Sequence, residues 1–293
     1  MLFKKGSFFL ITFLSGLLIF PQSLEIFYTA SLNGNLDGCD CKAVPRAGLV
    51  RTASFIRQRD PSSLFFDLGD SFDVYPDEHL HTAIQSAYLS LHLDGAALGD
   101  QDFIEGVDWI KNSSHPYLAH NLRIDGDEVS PQFKRFSTAG IEVGVGAVID
   151  PGVFYFSADK IKERLIIADP IATAMALLQD MDTAGIDVKV LLYHGSLERA
   201  RDIMTTQTGW DIILVGHEQR LESQISADGR RFLGSPGDNG NRVGVVKITV
   251  AEGRIESLHS RFSHFSYWED PKDPHINGIL EEYRRSLLER LRR

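Results

Sequence analysis

Positive charge is in short supply in this sequence. It has 30 Lys and Arg residues against 40 Asp and Glu residues, which gives a formal net charge of −10. Because polyanions are held mainly by Lys and Arg, a nucleic acid polymer is not expected as a partner. A small anion is still compatible with this charge, because a bound metal ion can dominate the field around it.

Cysteine is also scarce, and the only two cysteines, Cys39 and Cys41, lie one residue apart. They fall in the loop after the first predicted strand. As thiolates they are candidate ligands for a borderline or soft ion such as Zn²⁺. They are equally candidates for a small, easily reduced disulfide with a redox role. A third alternative is a pair without special function that oxidises after export.

The sequence has one long apolar run, and it lies at the N-terminus. Lys4 and Lys5 precede the run Phe8–Phe20, which is short for a membrane span and has the order of a secretory signal. We therefore predict that residues 1–23 are a signal peptide and that the protein is exported to the periplasm or outer surface. No clean small-residue cleavage site follows the run, so an uncleaved membrane anchor is the alternative, and a buried N-terminal helix is a third.

After this leader the sequence contains no linker, repeat or low-complexity segment. Apolar strands alternate with amphipathic helices as far as the segment WDIILVGHEQ, after which strands dominate until a closing helix. This order predicts a single α/β domain with two packed sheets and helices outside them. The predicted helices are Arg46–Gln58, His79–Leu93, Asp169–Met181, Ser196–Thr205 and Asn277–Arg292, the last one solvated. The predicted strands include Leu24–Ala30, a hairpin within Gln132–Asp150, and Ser223–Ala227, Arg231–Leu233, Val243–Val250 and Ile255–Phe262.

Polar side chains follow five of the apolar strands, at the point where each strand ends. In open α/β folds the carboxyl ends of the strands form the ligand site. Carboxylates, imidazoles and amides that converge there are suitable ligands for a divalent ion. The sequence therefore predicts a shared metal centre. Its candidate ligands are Ser31 and Asn33, Asp67 and Asp70, Asp100 and Gln101, His194, and His217 with Gln219.

Four of these segments, FFDLGDSFD, AALGDQDF, LLYHGS and ILVGHEQ, resemble in order and spacing the motif blocks of the calcineurin-like metallophosphoesterases. The likeness is strongest to the catalytic domain of periplasmic 5′-nucleotidases and UDP-sugar hydrolases. It implies a four-layer αββα sandwich over residues 24–264, a C-terminal helical extension over 265–293, and two divalent ions that promote phosphate ester hydrolysis. The nucleobase-binding C-terminal domain of true 5′-nucleotidases is not expected here. The segment CDCKAVPRAG further resembles the UshA-like branch of the family, in which a C-x-C motif occurs.

The resemblance assigns one nearly complete metal site. Its ligands would be Asp70, Asp100, His194 and His217, and Asp70 would also serve the second site together with Gln219. Asp100 stands where the family has Asn, and it still offers an oxygen. We therefore expect one firmly bound divalent ion, Mn or Zn or a similar metal.

The same resemblance shows where this chain departs from the family. Ser31 and Asn33 replace the first-strand Asp and His ligands, so the second metal site is expected to be weak unless Cys39 and Cys41 complete it. Gln101 replaces the His that contacts the transferring phosphate, and Ile104 replaces its acidic partner. The prediction is a divergent phosphoesterase acting on a small exported phosphate ester or nucleotide-like substrate, with Asp100 and Gln101 as catalytic candidates. The alternative is a catalytically degenerate protein of the same fold that binds a metal or acts through its C-x-C thiols.

Overall fold

The computed structural model describes residues 21–41, 45–237 and 239–292 of the chain. The α-helices are α1 (Leu49–Arg57), α2 (Glu78–Ser90), α3 (Val107–Asn112), α4 (Asp159–Lys162), α5 (Pro170–Thr183), α6 (Leu197–Thr206) and α7 (Pro274–Leu291). The strands are β1 (Gln22–Thr29), β2 (Leu64–Asp67), β3 (Gly95–Ala97), β4 (Tyr117–Leu118), β5 (Leu122–Ile124), β6 (Asp127–Glu128), β7 (Lys134–Thr138), β8 (Ile141–Ile149), β9 (Leu165–Ile167), β10 (Val188–Gly195), β11 (Ile212–His217), β12 (Leu221–Ile225), β13 (Phe232–Pro236), β14 (Arg242–Ala251) and β15 (Arg254–His264). Short 3₁₀ helices cover Gln101–Phe103 and Pro151–Phe156.

Two six-stranded mixed sheets form the centre of the molecule. The first sheet has the order β15-β14-β1-β2-β3-β4, with β1 to β4 parallel and β14 antiparallel to β1. The second has the order β12-β13-β11-β10-β8-β7, in which β8, β10, β11 and β13 run parallel and the two edge strands run antiparallel. The parallel strands of each sheet therefore end on a common edge, where ligand sites of α/β proteins form.

The two sheets face each other across one apolar core. Ile26 and Phe66 of the first sheet share this core with Val145 and Leu192 of the second. Outside the first sheet lie α1, α2 and α7, and outside the second lie α5 and α6, each burying an apolar stripe. The predicted four-layer αββα sandwich is confirmed.

Strand β1 illustrates why the central strands are apolar at nearly every position. Ile26 and Tyr28 point into the core between the sheets, while Phe27 points to the outer core beneath the helices. Successive strand residues face opposite sides, so a strand with both faces covered needs apolar residues on both. The alternating polar pattern of a half-exposed sheet is absent here for that reason.

Some helices begin later in the structure than the sequence predicted, because the predicted first residue is an N-cap or belongs to a β-bridge. Asp169 and Ser196, predicted as first helical residues, instead accept hydrogen bonds from the first turns of α5 and α6 as N-caps. Arg46, predicted to start a helix, forms an antiparallel β-bridge with Cys39, and α1 begins only after Gly48 at a φ of 72°. The hairpin predicted within Gln132–Asp150 is confirmed as β7 and β8.

A small third sheet, β6-β5-β9, was not predicted and corrects the expectation of two sheets. Its strands are two or three residues long, too short for a period-2 pattern to be visible. The sheet covers a separate apolar cluster that includes Leu98 and Phe154.

Helix α7 is not merely the solvated helix that its charge pattern predicted. Ile276 and Leu280 are buried against the outer core of the first sheet. Tyr283 donates a hydrogen bond to Asp77 at 2.8 Å, at the N-cap of α2. The closing helix is therefore part of the outer layer, with only its other face in solvent.

The predicted leader lies almost wholly outside the described residues. Gln22 and Ser23, which the prediction placed at its end, pair with Val250 and Thr249 of β14. None of the helices in the described part of the chain combines the length and apolar character needed for a membrane span.

Candidate metal centre

Four side chains from the two central sheets meet at the common edge. Asp70 follows β2 and Asp100 follows β3 of the first sheet, while His194 lies near the end of β10 and His217 ends β11 of the second. Their candidate ligand atoms all lie within 4.8 Å of one another. We call this group the Asp–His cluster.

The distances within the Asp–His cluster are close to those of ligands around a shared ion. His194 Nε2 lies 3.4 Å from Asp70 Oδ1 and 3.6 Å from Asp100 Oδ1. His217 Nδ1 lies 3.5 Å from Asp70 Oδ2 and 3.2 Å from Asp100 Oδ1. Ligands that each sit about 2.0–2.6 Å from one ion are separated from one another by distances of this order.

The pKa values of the cluster reflect the contact between two acids and two imidazoles. The Asp100 and Asp70 carboxylates beside its ring raise the pKa of His217 to about 9. Burial acts to lower the pKa of His194, but the Asp70 and Asp100 carboxylates outweigh it and raise that pKa well above its usual value. Burial acts to raise the pKa of Asp70, yet His194 and His217 hold it below its usual range. The cluster therefore holds protons that a bound cation would replace.

The orphaned atoms of the cluster fit a divalent cation. Asp100 Oδ1, His194 Nε2 and His217 Nδ1 are buried and have no hydrogen-bond partner within the described residues. The other ring nitrogen of His194, Nδ1, donates to the Leu68 carbonyl at 2.7 Å, which leaves Nε2 to face the cluster. Two oxygen and two nitrogen donors suit Mn²⁺ or Zn²⁺.

The backbone around the cluster adopts conformations that are unusual for residues with side chains. Asp70 has a φ of 57° and His217 a φ of 70°, and on the neighbouring β1 exit Ser31 and Asn33 have φ values of 45° and 50°. Such left-handed backbone at non-glycine residues concentrates at functional sites. The strain therefore falls on the residues that the fold brings to this edge.

Two glycines are required by the close approach of the cluster loops. A Cβ added to Gly69, whose φ is 90°, would lie 2.6 Å from His194 Nδ1. A Cβ added to Gly99 would collide with Asp70 Oδ1. The glycine of each G-D motif therefore makes room for a residue delivered by another strand.

One residue that supports the cluster, Asp102, was not predicted as part of the site. Its buried carboxylate accepts hydrogen bonds from the backbone N–H groups of Gly99 at 2.8 Å, Ser71 at 3.0 Å and Asp70 at 3.3 Å. Burial, and then the charge of Asp70, raise the pKa of Asp102 to about 8. In the sequence, the only sign of this supporting role was the position of Asp102 as the second acidic residue of the segment GDQD. Asp67, predicted as a candidate ligand, is not part of the Asp–His cluster; it is buried and accepts hydrogen bonds from Thr29, Ser71 and Tyr88.

The two predicted glutamines lie in different surroundings. Gln101 begins the 3₁₀ helix next to Asp100, its backbone N–H donates to Asp70 Oδ1 at 3.2 Å, and its Oε1 is buried without a partner in the described part of the chain. Gln219 is exposed, two residues beyond β11, and its side chain makes no hydrogen bond within the described residues. Ile104 is half-buried against the outer core of the first sheet.

The residues of the β1 exit lie directly beside Asp70. The backbone N–H of Ser31 donates to the Gly69 carbonyl at 2.9 Å, and that of Asn33 donates to the Asp70 carbonyl at 3.0 Å. Cys39 and Cys41, further along the same loop, are joined to each other by a disulfide, with Cα atoms 5.2 Å apart. Among the residues that the structure describes, no cysteine lies in the Asp–His cluster.

Comparison with curated proteins finds nucleotide phosphoesterases. The chain is 24% identical over 247 residues to the trifunctional nucleotide phosphoesterase YfkN of Bacillus subtilis, covering 69% of this chain and 17% of that protein. It is 24% identical over 235 residues to the 2′,3′-cyclic-nucleotide 2′-phosphodiesterase/3′-nucleotidase of Salmonella typhimurium, covering 66% of this chain and 36% of that protein. The chain thus spans only part of these longer relatives. No protein-family model matches it.

Comparison with solved structures identifies the fold. The 5′-nucleotidase precursor of Thermus thermophilus superimposes with a TM-score of 0.79 at 17% identity, over 91% of this chain and 59% of that one. The calcineurin-like phosphoesterase YfkN of Bacillus subtilis superimposes with a TM-score of 0.76 at 20% identity, over 93% of this chain and 100% of that one. The protein therefore has the calcineurin-like metallophosphoesterase fold, as its motif blocks predicted, and its curated relatives are nucleotide phosphoesterases. The likeness to the C-x-C branch stays a prediction.

Proposed function

We propose that the protein is a metal-dependent phosphoesterase that hydrolyses a small phosphate ester. The observation that carries this proposal is the Asp–His cluster, two carboxylates and two imidazoles whose orphaned donor atoms converge at the ligand-binding edge of a phosphoesterase fold. Nucleotides are the first substrates to test, because the printed names of the curated relatives describe nucleotide phosphoesterases.

In this proposal Asp70, Asp100, His194 and His217 hold one divalent ion, Mn or Zn or a similar metal. When bound, the ion supplies positive charge that stabilises the oxygens of a transferring phosphoryl group. Asp70 is held by its left-handed backbone and His194 by the Leu68 carbonyl, so neither has to reorganise during the reaction.

Asp100 and Gln101 are the proposed catalytic residues, because Asp100 belongs to the cluster and the backbone N–H of Gln101 donates to Asp70 Oδ1. Asp100 Oδ1 is within 3.6 Å of both imidazoles. The Gln101 amide, which is uncharged, would donate through Nε2 to the phosphoryl group in place of a histidine. An amide cannot donate a proton to a leaving group as an imidazolium does, so a good leaving group is expected to be hydrolysed faster than a poor one.

A second cation is proposed to bind weakly. Its candidate ligands besides Asp70 are Gln219, which is exposed, and the uncharged Ser31 and Asn33. A hydroxyl and an amide are weaker ligands than the carboxylate and imidazole of the related enzymes.

We further propose that the protein works outside the cytoplasm, with residues 1–23 as a signal peptide. The support is the order of Lys4, Lys5 and the apolar run Phe8–Phe20. An uncleaved leader that tethers the protein to the membrane is the alternative. Mass spectrometry of the protein recovered from cell fractions distinguishes the two by the mass of its N-terminal peptide.

The proposal is tested by metal analysis together with hydrolysis. The purified protein, loaded with Mn²⁺ or Zn²⁺, should retain about one metal per chain after desalting and should hydrolyse an activated aryl phosphate. Asp70→Ala should lose both properties. The matched control is Asp150→Asn, since Asp150 also follows a strand of the second sheet, but its carboxylate binds Tyr193 at 3.0 Å and lies outside the cluster.

Metal retention without turnover of the aryl phosphate or of nucleoside mono-, di- and cyclic phosphates would overturn the proposal. That result would favour the alternative function, a metal-binding or C-x-C redox protein on the same fold. Equal metal loss in Asp70→Ala and Asp150→Asn would count against the assignment of the site.

A further inference from the structure

The β1 exit carries buried polar atoms that have no partner. Ser31 is 1% exposed, and its Oγ, together with Asn33 Oδ1, makes no hydrogen bond within the described residues. Buried polar atoms without a hydrogen-bond partner are rare in folded proteins. The backbone of both residues is bonded to the Gly69–Asp70 segment, so both lie beside the Asp–His cluster. The Ser31 hydroxyl can donate a hydrogen bond to a ligand oxygen there, whereas Asn33 Oδ1 can only accept one.

Three asparagines surround this exit, and we call Asn33, Asn35 and Asn239 the asparagine cluster. Asn35 Nδ2 donates to the Asn33 carbonyl at 3.1 Å and to Asn239 Oδ1 at 3.3 Å, and Asn33 Nδ2 donates to Asn239 Oδ1 at 3.4 Å. The cluster has no charge. It therefore lacks the anionic ligands that would hold a second divalent cation firmly.

A guanidinium group borders the asparagine cluster. Arg46 Nη1 donates to Asn35 Oδ1 at 3.4 Å, while its Nε is buried without a partner in the described part of the chain. Arg46 forms no ion pair among the described residues. A guanidinium has five N–H donors in a planar fork that matches phosphate oxygens. Most of these donors remain for a ligand.

The disulfide loop holds Arg46 at this position. The backbone of Arg46 exchanges two hydrogen bonds of 2.9 Å with that of Cys39, which is bonded to Cys41. Next to it, the backbone N–H of Ala47 donates to Asn241 Oδ1 at 2.7 Å. At the base of the loop, Lys272 donates to the carboxylate of Asp37 at 2.6 Å. Asp37, before Cys39, and Ala47, after Arg46, are thus both bonded to distant segments of the chain.

We infer that Arg46 is a substrate-binding residue that takes phosphoryl oxygens at the β1 exit, and that the Cys39–Cys41 loop positions it there. This inference rests on the proposed function. The guanidinium, which contacts Asn35, supplies at the β1 exit the kind of positive charge that a second divalent ion supplies in two-metal phosphoesterases. The Ser31 hydroxyl, whose Oγ has no partner within the described residues, is a neutral donor to the same oxygens. The enzyme would thus combine one metal ion with one arginine.

The inference is tested by binding of inorganic phosphate to the metal-loaded protein, measured by calorimetry. Arg46→Ala should raise the Kd for phosphate at least about tenfold, as expected for loss of a charge-assisted contact worth about 1.5–3 kcal/mol. Arg46→Lys should bind with intermediate affinity, because the charge is kept and the fork is lost. Metal content should stay near one per chain in all three proteins.

The matched control is Arg199→Ala. Arg199 lies in α6, which follows β10 at the same sheet edge, but its guanidinium is paired with Asp150 at 3.5 Å. Its removal should leave phosphate affinity unchanged. Circular dichroism and the urea midpoint of each variant show whether a loss of phosphate binding comes from a loss of folded structure. If Arg46→Ala does not fold, Arg46→Lys provides a second variant.

The role of the disulfide loop is tested with the Cys39→Ser/Cys41→Ser double variant. Phosphate affinity should fall by several-fold, less than in Arg46→Ala, with metal content unchanged. Unchanged phosphate affinity in the double cysteine variant would overturn the positioning role of the disulfide. Unchanged phosphate affinity in Arg46→Ala would overturn the inference as a whole. Two tightly bound metal ions per chain would also overturn it. Arg46-dependent phosphate binding without any hydrolysis would instead overturn the proposed function and leave this inference standing.

Discussion

At the scale of single residues, Asp70 is the side chain on which the candidate site depends most. It is 1% exposed, its backbone has a φ of 57°, and its carboxylate lies within 3.5 Å of both imidazoles. It is also the ligand that both proposed metal positions would share. Gln219, by contrast, is exposed and belongs only to the weak position.

We therefore expect unequal effects on metal binding from changes at these two residues. Asp70→Asn should abolish measurable binding of Mn²⁺ or Zn²⁺, because an amide replaces a charged ligand between two histidines. Gln219→Ala should change the affinity of the first equivalent by less than about threefold. Isothermal titration of the metal-free proteins measures both. Similar losses in the two variants would contradict the ranking.

His115 should make the folded protein less stable at low pH. It is 6% exposed, packs its ring 4.8 Å from that of Tyr117, and burial lowers its pKa from 6.5 to about 4. The unfolded chain therefore binds the proton more tightly than the folded protein. The contribution of His115 to stability is complete above pH 6.5 and is lost as the pH falls through about 4, by about 3 kcal/mol in total.

The variant His115→Phe should show a shallower fall of unfolding free energy between pH 6.5 and about 4 than the native protein does. Urea denaturation at a series of pH values measures the difference. His79→Gln, which exchanges an exposed histidine, is the control and should follow the native curve. Parallel curves for His115→Phe and the native protein would show that the burial of His115 does not set the acid sensitivity.

At the scale of elements, the loops after β2 and β3 act as one unit because of Asp102. This residue lies in the loop after β3, yet it accepts backbone hydrogen bonds from Asp70 and Ser71 in the loop after β2. It thereby fixes the distance between Asp70 and Asp100. A carboxylate that satisfies three buried N–H groups supports the metal ligands without touching the ion.

Asp102→Ala should reduce both stability and metal affinity. Three backbone N–H groups would lose their acceptor, which we expect to cost about 3 kcal/mol, and the looser loops should weaken metal binding by about 10–100-fold. Urea denaturation and metal titration measure the two effects. The control is Asp127→Ala at an exposed acid. Lower stability with native metal affinity would mean that Asp102 does not position the ligands.

At the scale of the whole molecule, the C-terminal helix completes the outer layer of the first sheet. Leu280 of α7 is 2% exposed in the core shared with α1 and α2, and Lys272 and Arg284 pair with Asp37 at the base of the disulfide loop. The last part of the chain thus contacts the segment that follows its first strand. The helix contributes to the same cooperative unit as the two sheets.

Leu280→Ala should lower the free energy of unfolding by about 3 kcal/mol, the usual cost of a cavity at a buried leucine. Leu288 of the same helix is 55% exposed, so Leu288→Ala should change stability by less than about 0.5 kcal/mol. Chemical denaturation followed by tryptophan fluorescence compares them. Equal, small effects would mean that α7 is a solvated appendage.

The sequence by itself determined the layers of the fold and the main candidate ligands. Apolar strands that are covered on both faces, and helices with one apolar stripe, are local patterns, and they predicted the sandwich correctly. Asp70, Asp100, His194 and His217 were visible because each follows or ends an apolar strand, and the common direction of parallel strands places their ends together.

Only the tertiary structure decided which features from distant segments support one another. Asp102 looked like any acid until its carboxylate was seen beside three N–H groups from two loops. Arg46 was predicted as the first residue of a helix, but its bridge to Cys39 removes it from α1. The strands of the third sheet are too short to show an alternation of apolar and polar residues. Periodicity and propensity act over a few neighbouring residues, whereas these contacts depend on how two sheets and their loops pack.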